Sequence, residues 1–402
     1  MGLKQYLDVD VLTAAEQRIE TVFDRFDRIC VSFSAGKDST VMLHLAMAEA
    51  KRRDRKIAVL IIDLEAQYTA TMAHAEALFA MYAQWIDPYW IALPLSLRNA
   101  VSTYQPQWLC WDPDARASWV REPPAFAIVD EHHFPFFRRG MEFEDLVPAF
   151  GEWYSQGKLT ACLVGIRTDE SLNRFRAIMG DTANIDGHRW TTWKGGSVYN
   201  AYPIYDWRVD DIWTYHARTG LPYNPIYDAM HRAGLTPHQM RICQPYGDDQ
   251  RKGLWLYHVI EPATWPRVVA RVHGANAGAL YSRESGSILG VHHVTLPSGH
   301  TWKTYAEMLL DSLPPHANEH YANKIAAFLN WHSQRGYQTA IPDEADPKAE
   351  AAKETPSWRR ICRVILRNDW WCKGLSFSPH KGATSYDRYK TIMKKRRAKW
   401  GY

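Results

Sequence analysis

Through the first half of the chain, short apolar runs alternate with longer stretches whose apolar positions recur every three to four residues. RICVSFS (28–34) precedes a helical pattern near 37–53, and KIAVLIID (56–63) precedes another near 67–85. PYWIALP (88–94) and LTACLVGI (159–166) predict further strands. Apolar runs bounded by turn signals and separated by helices mark parallel strands covered on both faces. The predicted fold class is therefore α/β, an open parallel sheet with helices on both faces. Residues 96–150 break the rhythm with Trp, Pro and charge, as in PQWLCWDPDARASWVREPPAF, and predict a long aromatic-rich insertion.

VYNAYPIYDWRVDDIWTYHARTG (198–220) predicts one more strand, then a helix opened by Asp210 and Asp211 and closed by Gly220. After about residue 250 the pattern becomes mostly helical, with a hairpin predicted at SILGVHHVTLPSGHTW (287–302). The polar, Pro/Ala/Glu-rich stretch IPDEADPKAEAAKETP (341–356) reads as a linker or exposed excursion. Two domains are expected, an α/β domain over 1–250 and a mostly helical accessory region over 251–402.

Composition narrows the class. The 402 residues are 46% hydrophobic, enough for a substantial core. No uncharged apolar stretch reaches membrane-spanning length, and the N-terminal MGLKQYLDVD lacks the layout of a secretory signal. Cys30, Cys110, Cys162, Cys243, Cys362 and Cys372 stand singly, which argues against a zinc ribbon, an iron–sulfur cluster or a disulfide scaffold and fits a reducing cytoplasm. The net charge of +4 hides an asymmetry. Residues 388–400 hold seven of the 48 Lys and Arg and no acid, leaving 41 basic against 44 acidic residues elsewhere. The basic tail 388–402 suggests either a polyanion partner such as nucleic acid or a solubilising terminus.

The chemistry gathers where ICVSFSAGKDSTVMLHL (29–45) passes from strand to helix. A glycine-containing turn there leaves backbone N–H groups pointing outward at the positive end of the helix dipole, a ready anion site. Ser34, Ala35 and Gly36 are small enough to let a phosphate approach the backbone, Ser39 adds a hydroxyl and Lys37 a charge. The Walker spacing GxxxxGK[ST] is absent. Asp38 would repel a bare phosphate, so it either caps the helix or meets a Mg²⁺ carried by a nucleotide. A plain capped turn is the bland alternative.

SAGKDS (34–39) resembles the SxGKDS signature of the PP-loop ATP pyrophosphatase superfamily. The longer run is similar to the branch holding phosphoadenosine-phosphosulfate reductases, the small subunit of sulfate adenylyltransferase and DNA-phosphorothioation sulfur-transfer proteins. ACLVGIRTDESLNRF (161–175) resembles that branch's G-x-R-x-x-E-S-x-x-R motif, and AYPIYDWRVDDIW (201–213) its P-L/I-x-x-W-x-x-x-D-I-W segment. The resemblance covers roughly residues 20–230. Beyond it, MRICQPYGDDQRKGLWLYH (240–258) resembles a bacterial and phage subgroup with an uncharacterised C-terminal domain. The resemblance implies an adenine nucleotide α-hydrolase-like fold with the nucleotide across the carboxyl ends of the strands.

Carried over by position, the resemblance gives Ser34, Ala35, Gly36, Lys37, Asp38 and Ser39 the phosphates and sets Asp63 toward the nucleotide or its metal. It adds Arg167, Glu170, Ser171 and Arg174 to the site. It makes Lys37, Asp38 and Arg167 the catalytic group, with ATP or a related adenine nucleotide and Mg²⁺ as cofactors and Asp38 as the metal contact. Arg167 also stands on its own, since an arginine just past a buried strand can bind phosphate or sulfate oxygens bidentately. Glu170 and Arg174 could equally be an ordinary i,i+4 surface pair.

Superfamily enzymes use ATP to adenylate a substrate oxygen, expelling pyrophosphate. The expected function is therefore cleavage of ATP to AMP and pyrophosphate to activate an acceptor, in sulfur transfer or nucleic-acid modification, with a protein partner supplying sulfur or acting on DNA. Two alternatives stand beside it: a phosphosulfate reductase or sulfotransferase, and a nucleotide-sensing DNA-binding regulator. The reductase segment ECG-x-H is absent, and Cys362 and Cys372 match it only in residue type. The arginines around Cys362 would lower a thiol pKa, whereas Ile and Val neighbours suggest core filler. His316 and His320 have the spacing of a helical metal pair without a third ligand. Trp108, Trp111 and Trp119 either cover a nucleotide or pack a long loop. Arg241, Gln244, Arg251 and Lys252 are placed to reach the crevice from its far side.

Overall fold

A computed structural model describes residues 8–179, 184–242, 246–248, 253–281, 295–337 and 340–377. The chain divides into two compact units. One comprises residues 1–97, 109–245 and 256–271, and the other 98–108, 246–255 and 272–402. The second unit thus takes in two short excursions, 98–108 and 246–255, a division that the single boundary expected near residue 250 does not contain.

The first unit is built on strands β1 (Arg28–Ser32), β2 (Ile57–Ile62) and β3 (Ile86–Ile91). Short strands β4 (Ser96–Arg98) and β5 (Gln107–Leu109) bracket the first excursion. β6 (Thr160–Val164), β7 (Thr191–Gly195) and β8 (Val198–Ala201) complete the set. The central sheet has the order β3-β2-β1-β6-β8-β7 and is parallel except for the β7–β8 pair. Cys30 lies opposite Ala58 on one side and Cys162 on the other. The parallel sheet and its helices agree with the predicted class. Pro88 is tolerated because β3 is an edge strand, where a missing N–H costs no ladder bond.

Helices α1 (Val11–Arg25), α2 (Lys37–Arg52), α3 (Thr69–Met81), α4 (Phe143–Ser155), α5 (Leu172–Met179), α6 (Val209–Thr219) and α7 (Ile226–Arg232) surround this sheet. α8 (Leu254–Ile260) and α9 (Trp265–Arg271) follow. Period-two alternation sends Ile29, Val31, Ile57, Val59, Ile61, Ala161 and Leu163 into one core with Ile19, Val22, Met42, Leu78, Phe79 and Ile212. On the opposite face α4 lays Phe150 against Tyr89 at 5.1 Å, and the Tyr154 hydroxyl donates to the Ile29 carbonyl at 3.2 Å. α4 begins inside the stretch predicted as insertion, so part of 96–150 is a layer of the fold. Local capping is legible: Asp10 Oδ1 accepts the amides of Leu12 and Thr13, and Gly220 closes α6 with φ 66°.

In the second unit α10 (Ala275–Tyr281), α11 (Trp302–Asp311), α12 (Pro315–Ser333), α13 (Pro347–Ala351) and α14 (Trp358–Leu366) carry a separate core. It includes Trp302, Tyr321, Phe328, Ile361, Cys362 and Ile365. The stretch 341–356 differs from its expected role as a linker or excursion. It holds α13, and Glu350 is buried because Ser357, Arg359 and Arg363 all bond its carboxylate. The first half of the predicted hairpin (287–302) and the basic tail 388–402 lie outside the described residues. No helix among the described residues is long and apolar enough to cross a membrane.

Candidate functional site

Strand order reverses between β1 and β6, because β2 and β3 lie on one side of β1 while β6 and β8 lie on the other. Open α/β sheets form their ligand crevice at the carboxyl ends of the strands flanking such a switch. Ser34–Ser39 leave β1 there and Gly165–Arg167 leave β6. The two turns are in contact: a Cβ on Gly165 would lie 2.8 Å from the Asp38 carbonyl and 2.9 Å from Ser39 Cα. A glycine is required at 165 for this approach. At Gly36 an added Cβ would meet only ordinary contacts of 3.4 Å.

The turn itself is well braced. Ala35 adopts φ 56°, an αL conformation unusual for a residue with a Cβ, and the Asn224 amide holds its carbonyl at 2.9 Å. Gly36 caps α2 without any side-chain acceptor. Ser39 Oγ lies 3.0 Å from Ser34 Oγ and donates to the Gly36 carbonyl at 3.1 Å. The Lys37 amide donates to the Tyr227 hydroxyl at 2.9 Å.

Charge converges on Asp38. Arg167 Nε lies 2.5 Å from Asp38 Oδ1 and Lys37 Nζ 3.2 Å from Oδ2, with both cations buried. Lys37 Nζ also reaches the Met240 carbonyl at 3.4 Å. Glu170 Oε1 lies 3.9 Å from Arg167 Nε, and Glu170 Oε2 takes Arg174 at 2.6 Å. Burial pushes the Glu170 pKa up, and the Asp38 charge adds to that, while Arg174, Arg167 and Lys37 pull it back. Lys37, Arg167, Glu170, His238 and Arg241 line a cleft of about 80 Å³. Arg241 donates to the Glu170 carbonyl at 3.0 Å. That is well below the ~300–1,000 Å³ of small-molecule pockets, so a nucleotide needs the walls to part.

Of the residues predicted from sequence, Lys37, Asp38, Arg167 and Glu170 come together here, and Arg241 joins them. Arg174 is more exposed and pairs with Glu170, matching the i,i+4 alternative. Ser171 Oγ caps α5 by accepting the Arg174 amide at 3.2 Å, a helix-starting role in place of the expected nucleotide contact. Asp63 corrects a stronger expectation. It is fully buried, its Oδ2 accepts Trp90 Nε1 at 2.9 Å, and its Oδ1 takes Arg121 and the Glu65 amide. A carboxylate so enclosed faces neither nucleotide nor metal. Trp111 is buried as well, donating from Nε1 to the Asp63 carbonyl at 2.7 Å and standing T-shaped to Trp119 at 5.1 Å. Those tryptophans pack a loop, and Trp108 is equally buried in the second unit.

Both oxygens of Asp38, the expected magnesium contact, pair with Arg167 and Lys37. Among the described residues no group of three His, Cys, Asp or Glu could hold a metal. His320 stacks on Trp370 with centroids 3.7 Å apart and meets the Trp370 carbonyl through Nε2 at 2.7 Å. Cys30, Cys110, Cys162, Cys362 and Cys372 are all buried. Cys362 donates to the Trp302 carbonyl, and burial pushes its thiol up to about 12, which matches the core-filler alternative and not a thiol activated by its arginines. Cys243, Gln244, Arg251 and Lys252 lie outside the described residues. Sequence reasoning missed Gly165, although it sits in the quoted motif, and also Tyr227 and Asn224. Asn224-Pro225, a turn signal, was the one available pointer to the last.

Residues 143–240 match the phosphoadenosine phosphosulfate reductase domain, and residues 234–345 and 337–386 match a domain of unknown function, DUF3440. A protein of Escherichia coli (strain K12) named "Uncharacterized protein YbdN" is 45% identical over 399 residues, covering 98% of this chain and 97% of that one. Adenosine 5'-phosphosulfate reductase 2 of Bacillus subtilis (strain 168) is 28% identical over 97 residues, 24% of this chain and 36% of that protein. Among solved structures, the phosphate complex of phosphoadenylyl-sulfate reductase from Candida auris aligns with TM-score 0.32 at 12% identity. That alignment covers 56% of this chain and 94% of the other.

Proposed function

The chain belongs to the family of the Escherichia coli protein YbdN, and from that premise we propose that it binds an adenine nucleotide at the N-terminus of α2, cleaving ATP to AMP and pyrophosphate to activate an acceptor. The observation that carries this reading is the convergence of Lys37 and Arg167 on one carboxylate at the sheet's switch point. Two buried cations beside a helix N-terminus form a polyphosphate site once Asp38 releases them.

In the proposed reaction an acceptor oxygen attacks the α-phosphorus. The new O–P bond forms as the bond from the α-phosphorus to the bridging oxygen breaks, and pyrophosphate leaves with the electron pair. Lys37 and Arg167 meet the charge that grows on the leaving oxygens, and the amides of the Ser34–Ser39 turn hold the phosphates in line. Glu170 holds Arg174 at the mouth, 2.6 Å from Oε2, and lies 3.9 Å from Arg167 Nε.

A second reading, turnover of a sulfonucleotide, draws support from the reductase-domain match over 143–240. Reduction would need an accessible thiolate, and every cysteine among the described residues is buried. Product analysis separates the two readings. AMP and pyrophosphate from ATP, lost in Lys37→Ala and Arg167→Ala, supports the proposal; sulfite released from an adenylyl sulfate with thiol consumption, and no pyrophosphate from ATP, overturns it. The acceptor is proposed to be sulfur-related or a nucleic acid.

A further inference from the structure

The second unit contains a larger cleft, of about 450 Å³, between α13, α14 and the turn Lys373–Leu375. Its wall carries Lys353, Arg360, Arg363 and Arg367 against only two carboxylates, Glu350 and Asp369. Positions 360, 363 and 367 fall on one side of α14, while Ile361, Cys362 and Ile365 enter the core. The volume lies within the range of small-molecule pockets, ~300–1,000 Å³.

The two acids do not neutralise this wall. Glu350 is shared between Arg359 at 2.9 Å and Arg363 at 3.3 Å, so it compensates a cation outside the cleft as well as one inside. Asp369 Oδ2 accepts the Gly374 amide at 2.8 Å. Arg360 is 96% buried and, among the described residues, pairs with no carboxylate. Its Nη atoms donate to the carbonyls of Thr355 at 2.6 Å and Gly374 at 2.8 Å, and its Nε–H, enclosed, has no partner. Arg363 Nε–H is enclosed and unpartnered too. Burial pushes the Arg360 pKa below its ordinary value, with Glu350 offsetting part of that. A buried guanidinium with no carboxylate partner, as at Arg360, carries a desolvation cost that an anion would relieve.

We propose that this cleft is a binding site for a compact inorganic polyphosphate, of the pyrophosphate class, held by Arg360, Arg363, Arg367 and Lys353. A small, multiply charged anion is favoured over a nucleic acid because no aromatic side chain lines the cleft to stack a base and because the two carboxylates would repel an extended backbone. The site is independent of the nucleotide reading, since all of its residues belong to the second unit.

Titration calorimetry of the full chain with inorganic pyrophosphate tests it, using wild type, Arg363→Gln/Arg367→Gln and Lys37→Ala. Arg360 is left alone in the main variant, since its carbonyl bonds make Arg360→Ala prone to misfold; Arg367→Gln alone serves if the double variant misfolds. The expected result is binding weakened about tenfold or more in the arginine variants and retained in Lys37→Ala, as loss of charge-assisted bonds predicts. Binding unchanged in the arginine variants, or lost only with Lys37→Ala, overturns the proposal. So does a single-stranded oligonucleotide that binds through Arg363 and Arg367 and is not displaced by pyrophosphate.

Discussion

Arg167 Nε and Asp38 Oδ1 lie 2.5 Å apart although 129 residues separate them in the chain. Lys37 holds the second oxygen of the same carboxylate at 3.2 Å. The two cations at this mouth are thus neutralised from within. On the proposed function, an arriving polyphosphate would exchange one anionic partner for another and preserve the balance of buried charge.

Replacing Asp38 with Asn leaves Lys37 and Arg167 unmatched. The expected outcome is a less stable protein, by about 2 kcal/mol given the partial exposure of Asp38, together with a larger rise in Tm on adding ATP than wild type shows. Scanning calorimetry with and without ATP reads both effects. An ATP-induced rise no greater than in wild type would mean that Asp38 is only part of the helix start.

At Gly165 the steric demand is backbone against backbone, so a methyl group cannot be absorbed by a side-chain rotation. Gly165→Ala is expected to cost about 1–3 kcal/mol and to displace Arg167 from Asp38. Denaturant midpoints and ATP-dependent thermal shifts should both fall. The same substitution at Gly36, which faces only contacts of 3.4 Å, should be milder.

Glu65 is fully buried, with Arg271 Nε at 2.9 Å from Oε1, the Trp111 amide at 2.7 Å from Oε2 and the Val120 amide at 3.1 Å from Oε1. Arg271→Gln orphans this carboxylate and is expected to cost about 3–5 kcal/mol. Adding Glu65→Gln to that variant removes the unmatched charge and should restore part of the loss. Denaturation of the two variants side by side measures the coupling.

His44 on α2 and His74 on α3 are both buried, and burial lowers each from 6.5 to about 4. The unfolded chain therefore binds more protons between those values. Stability is complete above 6.5 and falls away as pH drops toward 4, by on the order of 1–3 kcal/mol per histidine. His74→Gln, which gives up a 3.2 Å contact with Thr40 Oγ1, should shrink the Tm difference between about pH 5 and about pH 7.5.

The parallel sheet and the α2 turn were legible because they are local. An apolar strand, a small-residue turn and an amphipathic helix are written consecutively over residues 28–53. Asp63 was misjudged because its partners, Trp90 and Arg121, come from segments that only the folded chain brings to the end of β2. Strand β7 escaped notice because Trp193 and Lys194 are exposed at a sheet edge and give no apolar run. Glu350 misled in the same way: a glutamate in a polar stretch looks solvated until Arg359 and Arg363, one helix later, fold back on it.

The phenolic oxygen of Tyr227 occupies the first amide of α2. On the proposed function it is a placeholder, satisfying the donor that a phosphoryl oxygen would seek. Entry of such a ligand would then be a displacement, its pace tied to how readily the start of α7 swings the ring aside. A phenylalanine there would vacate the seat permanently, trading a quieter resting state for faster loading.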